Sequence, residues 1–166
     1  MAIGHLGILV SHLNACTTVW FRSIQLLTYL AVFPGTEDSF SSSIPDGVDI
    51  VMTHGPPRGI LDLIPSKGEH AGCEALLRAM QRVRPLMHCF GHIHEGYGVE
   101  MKHWGGEGDG AAQTVVVSRV GTEQACREEH TLTKRSDTLM VNAAVMDAHN
   151  IPTHAQWVVE LELSDG

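Results

Sequence analysis

Three observations predict an α/β chain. A short apolar, β-branched run at residues 48–53 (VDIVMT) and a second at residues 86–90 (LMHCF) flank a stretch with helical periodicity at residues 72–83, about the length of a βαβ unit. Residues 157–163 alternate Trp157, Val159, Leu161 and Leu163 against Val158, Glu160 and Glu162, the pattern of a strand with one buried and one wet face. Apolar residues make up 43% of the 166 and charged residues 18%, which is enough to bury a core in one domain or in part of a larger one.

Taken in order, residues 1–33 are apolar and weakly patterned. Residues 24–33 are too short for a bilayer span and read as a core helix or strand. Pro34-Gly35 signals a turn, residues 36–43 a serine-rich loop, and Pro45-Asp46-Gly47 a second turn. The strand at 48–53 is ended by His54-Gly55-Pro56-Pro57, because two prolines and a glycine cannot continue a central strand. In the helix, Cys73, Leu76, Leu77, Met80 and Val83 form one apolar stripe, Glu74 and Arg78 an i,i+4 pair on another face, and Pro85 the stop. Gly91 ends the strand at 86–90. Residues 97–104, 114–118 and 138–145 are further strand candidates, residues 105–110 a glycine-rich loop, and residues 122–137 a polar, exposed connection.

The formal charge of −8 argues against a partner with a nucleic-acid backbone. The first Lys or Arg is Arg22, so the charged start of a secretory signal is missing. Cys16, Cys73, Cys89 and Cys126 form no C-x-x-C pair. The even count allows two disulfides, but Cys73 and Cys89 sit within apolar patterns and read as buried thiols, which favours a reducing, cytoplasmic compartment.

The residues that carry chemistry lie where strands end. His54 directly follows one strand, and His92 and His94 follow the other, with Gly55 and Gly91 allowing sharp turns. If the strands are parallel neighbours, all three imidazoles reach one edge of the sheet, where ligand sites of open α/β sheets gather. An isolated His-x-His is more often a turn, but the glycines, the prolines and the strand-end placement favour a metal site. His88 alternates into a strand and reads as a hydrogen-bonded core residue. Arg58 reads as exposed and Asp62 as an anchor near the site, while His70 and the remaining histidines show no ligand spacing.

Thr53-His54-Gly55-Pro56-Pro57 and Gly91-His92-Ile93-His94 resemble the last two signature motifs of the calcineurin-like metallophosphoesterases. Asp62, Gly72-Cys73, Leu76-Leu77 and Glu95-Gly96-Tyr97-Gly98 narrow the resemblance to a brain-expressed and fungal subfamily of metallophosphoesterase-domain proteins. Val141-Asn142-Ala143-Ala144 and residues 157–163 are similar to its closing strands. The resemblance implies a β-sandwich flanked by helices and a dinuclear centre of Mn, Fe or Zn. It assigns His54 and His92 to one metal and His94 to the other. A small-molecule phosphoester, with nucleotides among the candidates, would be the substrate, with no membrane involved.

The family's earlier motifs, Asp-x-His, Gly-Asp and Gly-Asn-His, are not found upstream of His54. Asp147-Ala148-His149 and Gly108-Asp109 spell two of them in the wrong chain order and read as exposed and structural. The expectation is therefore a partial calcineurin-like fold lacking its N-terminal half, with an atypical segment at 1–40 and the C-terminal part of a metallophosphoesterase domain at 41–164. No catalytic residue is assigned. Three neutral imidazoles hold at most one ion, so the expected function is phosphoester hydrolysis through an incomplete dinuclear site. The alternative is a truncated fragment or pseudoenzyme acting as a binding module. Without upstream strands, the strand at 48–53 would expose an apolar edge, with residues 1–33 as candidates to cover it.

Overall fold

The computed structural model describes residues 4–10, 26–28, 44–105, 112–119 and 127–163. Among them, strands predominate around one α-helix, a mixed α/β architecture. The strands are β1 (Gly4–Val10), β2 (Leu26–Thr28), β3 (Ile50–Met52), β4 (Leu63–Ile64), β5 (Glu69–His70), β6 (Met87–Phe90), β7 (Gly98–His103), β8 (Ala112–Arg119), β9 (Arg127–Thr133), β10 (Asp137–Asn142) and β11 (Trp157–Leu163). The helix is α1 (Glu74–Val83).

The expected βαβ unit is present. β3 and β6 are parallel neighbours, with Val51 opposite His88, and α1 lies between them in the chain. The five-stranded sheet runs β2-β3-β6-β10-β7, with β7 antiparallel to β10. The helix starts where the Cys73 thiol accepts from the Leu76 amide at 3.4 Å and ends at Arg84, whose left-handed backbone (φ 48°) returns its amide to Met80 O. Pro85 then prevents continuation.

Side-chain alternation divides the core. Ile50, Met52, Met87, Cys89, Leu139 and Val141 point to one face of this sheet and pack with Val115, Val117, Leu132, Trp157, Val159 and Leu161. Those partners come from the second sheet, ordered β1-β11-β8-β9. Val51, Phe90 and Met140 point the other way, onto Leu76, Ala79, Met80 and Val83 of α1. Two sheets thus enclose one apolar layer, and the helix covers the outer face of the five-stranded one.

Several expectations are refined or corrected. Pro45-Asp46-Gly47 turns as expected, with Gly47 at φ +81°. Residues 122–137 do not form a plain connection, because residues 127–133 are β9 and Asp137 is a buried residue of β10. β9 pairs with β8 through its backbone at the edge of its sheet. A charged edge strand needs little apolar patterning, and in its described part Leu132 is the buried side chain. The segment ahead of residue 40 supplies two paired strands: β1 lies antiparallel to β11 and β2 parallel to β3, so Leu26–Thr28 covers the edge that β3 would otherwise expose. Pro34-Gly35, the loop at 36–43, residues 106–110, Gly108-Asp109, Cys16 and Cys126 lie outside the described residues. No helix among the described residues is long and apolar enough to cross a membrane.

Candidate metal centre

The parallel pairing of β3 and β6 brings the two histidine-bearing turns to the same sheet edge. The ladder continues past the strands, with Thr53 N donating to Cys89 O at 3.0 Å and Gly91 N to His54 O at 2.9 Å. Each turn therefore braces the other. His54 Nε2 lies 3.0 Å from His92 Nδ1, with ring centroids 4.7 Å apart and planes tilted by 50°.

The placement of His92 is strained. Its φ of +70° is left-handed, a region that side chains other than glycine seldom occupy. Such residues cluster at functional sites, where surrounding structure enforces them. Here the Ile93 amide closes onto Gly91 O at 2.8 Å, so the chain doubles back and turns the His92 side chain toward His54. Desolvation is the main reason that His92 lies below the usual imidazole pKa, and the neighbouring His54 and His94 add to the effect.

His94 begins a 3-10 turn, His94–Gly96. Its Nδ1 lies 2.8 Å from Asp147 O, so the ring is held by the loop that follows β10. The Asp147 carboxylate caps that loop by accepting from the His149 and Ile151 amides at 2.8 and 3.0 Å. These backbone hydrogen bonds hold its pKa low. Asp147-Ala148-His149 is thus structural as expected, although its backbone carbonyl orients a site histidine.

Asn142, fully buried at the end of β10, fixes the floor. Its Nδ2 donates to Ile93 O at 2.8 Å and to Leu61 O at 3.2 Å, while its Oδ1 accepts from Ala144 N at 3.1 Å. Gly96 packs so closely beneath Leu61 that a Cβ there would lie 1.9 Å from the Leu61 carbonyl oxygen.

The β4–β5 hairpin borders this floor and is anchored by Asp62. That buried carboxylate accepts from Gly59 N and Gly72 N at 2.9 Å each and pairs with His70 Nδ1 at 2.6 Å. Burial raises its pKa, but the hydrogen bonds from His70, Gly59 and Gly72 outweigh burial and the net shift is downward. Asp62 is the anchor the sequence suggests. Its partnership with His70 has no sequence signature, because the hairpin brings together residues that no metal or helix spacing links. Arg58 is half-exposed and donates to His70 O at 3.3 Å.

The structure brings His54 and His92 together as facing donors and places His94 close enough to influence His92, with its Nδ1 engaged elsewhere. Two imidazole nitrogens about 3 Å apart suit adjacent positions around one first-row ion, given metal–nitrogen bonds of roughly 2.0–2.1 Å. They are half of a tetrahedral set. Among the described residues no group of three or more His, Cys, Asp or Glu side chains stands at metal-ligating spacing. Among the described residues these two nitrogens could serve as part of one ion's ligand set, whereas a dinuclear centre also needs a bridging anion.

No family model matches the chain. Individual proteins do. Human metallophosphoesterase domain-containing protein 1 is 61% identical over 57 residues, covering 34% of this chain and 18% of that protein. A UPF0046 protein of Caenorhabditis elegans is 54% identical over 56 residues, 33% of this chain and 14% of its own length. A protein of Emericella nidulans named as a probable rhamnogalacturonate lyase C is 43% identical over 74 residues, 43% of this chain and 7% of its own length. Through part of its length the chain is thus related to metallophosphoesterase-domain proteins, and it spans less than a fifth of the human relative.

Proposed function

We propose that this chain carries part of the metal centre of a calcineurin-like, metal-dependent phosphoester hydrolase, on the strength of its kinship with metallophosphoesterase-domain proteins. The observation that carries the reading is the 3.0 Å approach of His54 Nε2 to His92 Nδ1 at the ends of parallel neighbours. The arrangement of two sheets with a helix outside agrees with it. A divalent Mn, Fe or Zn ion, when bound, would lower the pKa of a water and neutralise phosphoryl charge.

In this reading His54 and His92 hold the ion as neutral donors. His94, with Nδ1 donating to Asp147 O, keeps the lone pair of its Nε2 for a further metal or phosphate contact. The substrate is a small phosphoester, with nucleotide diesters the first to try.

A second reading is a metal-binding module without turnover, supported by two facing imidazoles that no third His, Cys, Asp or Glu joins at ligating spacing among the described residues. One experiment separates the two. Mn2+ binding is followed by calorimetry, and hydrolysis of bis(p-nitrophenyl) phosphate is assayed with the wild type and His92→Ala. Binding and turnover that both vanish in the variant support the hydrolase. Binding without turnover supports the module. Equal, chelator-insensitive behaviour of both proteins sinks both readings.

A further inference from the structure

His88 is completely buried (0% exposed) on β6, on the face that packs against α1, beside Val51, Phe90 and Met140. An imidazole in such surroundings is costly compared with an apolar side chain of similar size, unless its polar atoms are used. Burial lowers its pKa to about 3, so the ring is neutral and has one N–H to place.

The local hydrogen bonds say where that proton goes. Thr53 Oγ1 lies 2.7 Å from Gly55 O and 2.9 Å from His88 Nε2. A hydroxyl has one proton, and a carbonyl can only accept, so the Thr53 proton goes to Gly55 O. The Thr53 oxygen therefore accepts from His88, and His88 carries its proton on Nε2. Its Nδ1 is buried and has no partner among the described residues. The opposite tautomer would bury an N–H there without an acceptor, which costs more than burying a lone pair.

A one-way chain of donors thus runs from the His88 ring through the Thr53 hydroxyl to the Gly55 carbonyl. Thr53 and Gly55 are the two residues flanking His54. Gly55 in turn lies against the His92 side chain, 4.0 Å from its Cβ and Cδ2 as measured from a Cβ built on the glycine. We infer that His88, acting through Thr53, is a positioning residue that sets the His54 imidazole against that of His92. The consequence for metal affinity rests on the metal-centre reading above, whereas the placement of the rings does not. Groups that orient a ligand from behind typically change metal affinity by about 10- to 100-fold.

The test compares Thr53→Val, which removes the hydroxyl at constant shape, with Thr53→Ser, which keeps it. His88→Leu, suited to the apolar surroundings, is the second way to cut the chain. Long-range 1H–15N spectra of the metal-free proteins report the tautomers and environments of His54 and His92, and Mn2+ titration reports affinity. Thr53→Val and His88→Leu should each shift both ring spectra and weaken Mn2+ binding by about 10- to 100-fold, with Thr53→Ser restoring both. A folded Thr53→Val or His88→Leu protein with wild-type ring spectra would overturn the inference. If that protein also binds Mn2+ like the wild type, the metal reading survives alone. If the wild type binds no Mn2+ while the ring spectra still shift in the variants, positioning stands and the metal reading falls.

Discussion

The Nδ1 atom of His94 lies 2.8 Å from the backbone carbonyl oxygen of Asp147, a residue from a different strand connection. A carbonyl can only accept, so the imidazole proton sits on Nδ1 and the lone pair on Nε2. Long-range 1H–15N spectra at neutral pH should show His94 as the Nδ1–H tautomer. Asp147→Ala removes the carboxylate that caps the loop and should shift His94 toward a tautomer mixture. An unchanged His94 signal in that variant would show that the carboxylate does not hold the carbonyl in place.

The left-handed backbone of His92 should be measurable as strain. His92→Gly and His92→Ala both delete the imidazole, but only glycine is at ease at φ +70°. Urea unfolding without metal should find the glycine variant more stable than the alanine variant by about 1 kcal/mol. Equal stabilities would mean that the turn relaxes once the ring is gone.

His88 should make the protein sensitive to mild acid. Its pKa falls from the usual 6.5 to about 3 in the folded chain, so below 6.5 the unfolded state takes up a proton that the folded state refuses. The contribution is complete above pH 6.5 and is lost progressively as pH falls toward 3. From this residue alone, stability at pH 5 should be roughly 2 kcal/mol below that at pH 7. His88→Leu should abolish that part of the slope in urea titrations at the two pH values.

Asp62 titrates in the same direction from a lower starting point. Its folded pKa is depressed, so its stabilisation is present above the unfolded carboxyl value of about 3.9 and fades as pH falls through the folded one. Asp62→Ala strands the Gly59 and Gly72 amides and should cost about 3 kcal/mol at pH 7. His70→Ala, at a half-exposed ring, should cost under about 1 kcal/mol. Similar losses in the two variants would contradict the anchoring role of the carboxylate.

Two glycine substitutions should differ in kind. Gly47→Ala meets no atom within 4 Å and should cost about 1 kcal/mol through its positive φ alone. Gly96→Ala drives a methyl to 1.9 Å from the Leu61 carbonyl oxygen, which is backbone and cannot rotate away. It should cost about 3 kcal/mol or more and displace the turn that carries His94. Thermal unfolding of the pair decides the matter.

Local chemistry made part of this architecture legible. The apolar stripe of α1, the runs of β3 and β6 and the alternation of β11 all encode their burial within a few residues, and the approach of His54 to His92 follows from β3 and β6 being parallel neighbours. β9 was hidden because an edge strand is held by backbone bonds that side chains do not announce. The tie between His94 and Asp147 and the clamp of Asn142 on Leu61 join residues far apart in the chain, and no periodicity reports such contacts. The pairing of β1 with β11 was concealed for the same reason, whereas the exposed edge of β3 pointed to residues 1–33 as its cover.

The pairing of β1 with β11 also bears on how the molecule assembles. Gly4 sits opposite Leu163 and Val10 opposite Trp157, so the pairing of β1 with β11 forms only after residues 157–163 have emerged from the ribosome. The four-stranded sheet closes only then, because β11 lies between β1 and β8. Contacts so distant in sequence must overcome most of the entropy of loop closure before they are rewarded, which slows the closing of this sheet. Until β11 emerges, the apolar run of β1 lacks the strand it pairs with in the folded chain, the kind of exposed segment that chaperones shield.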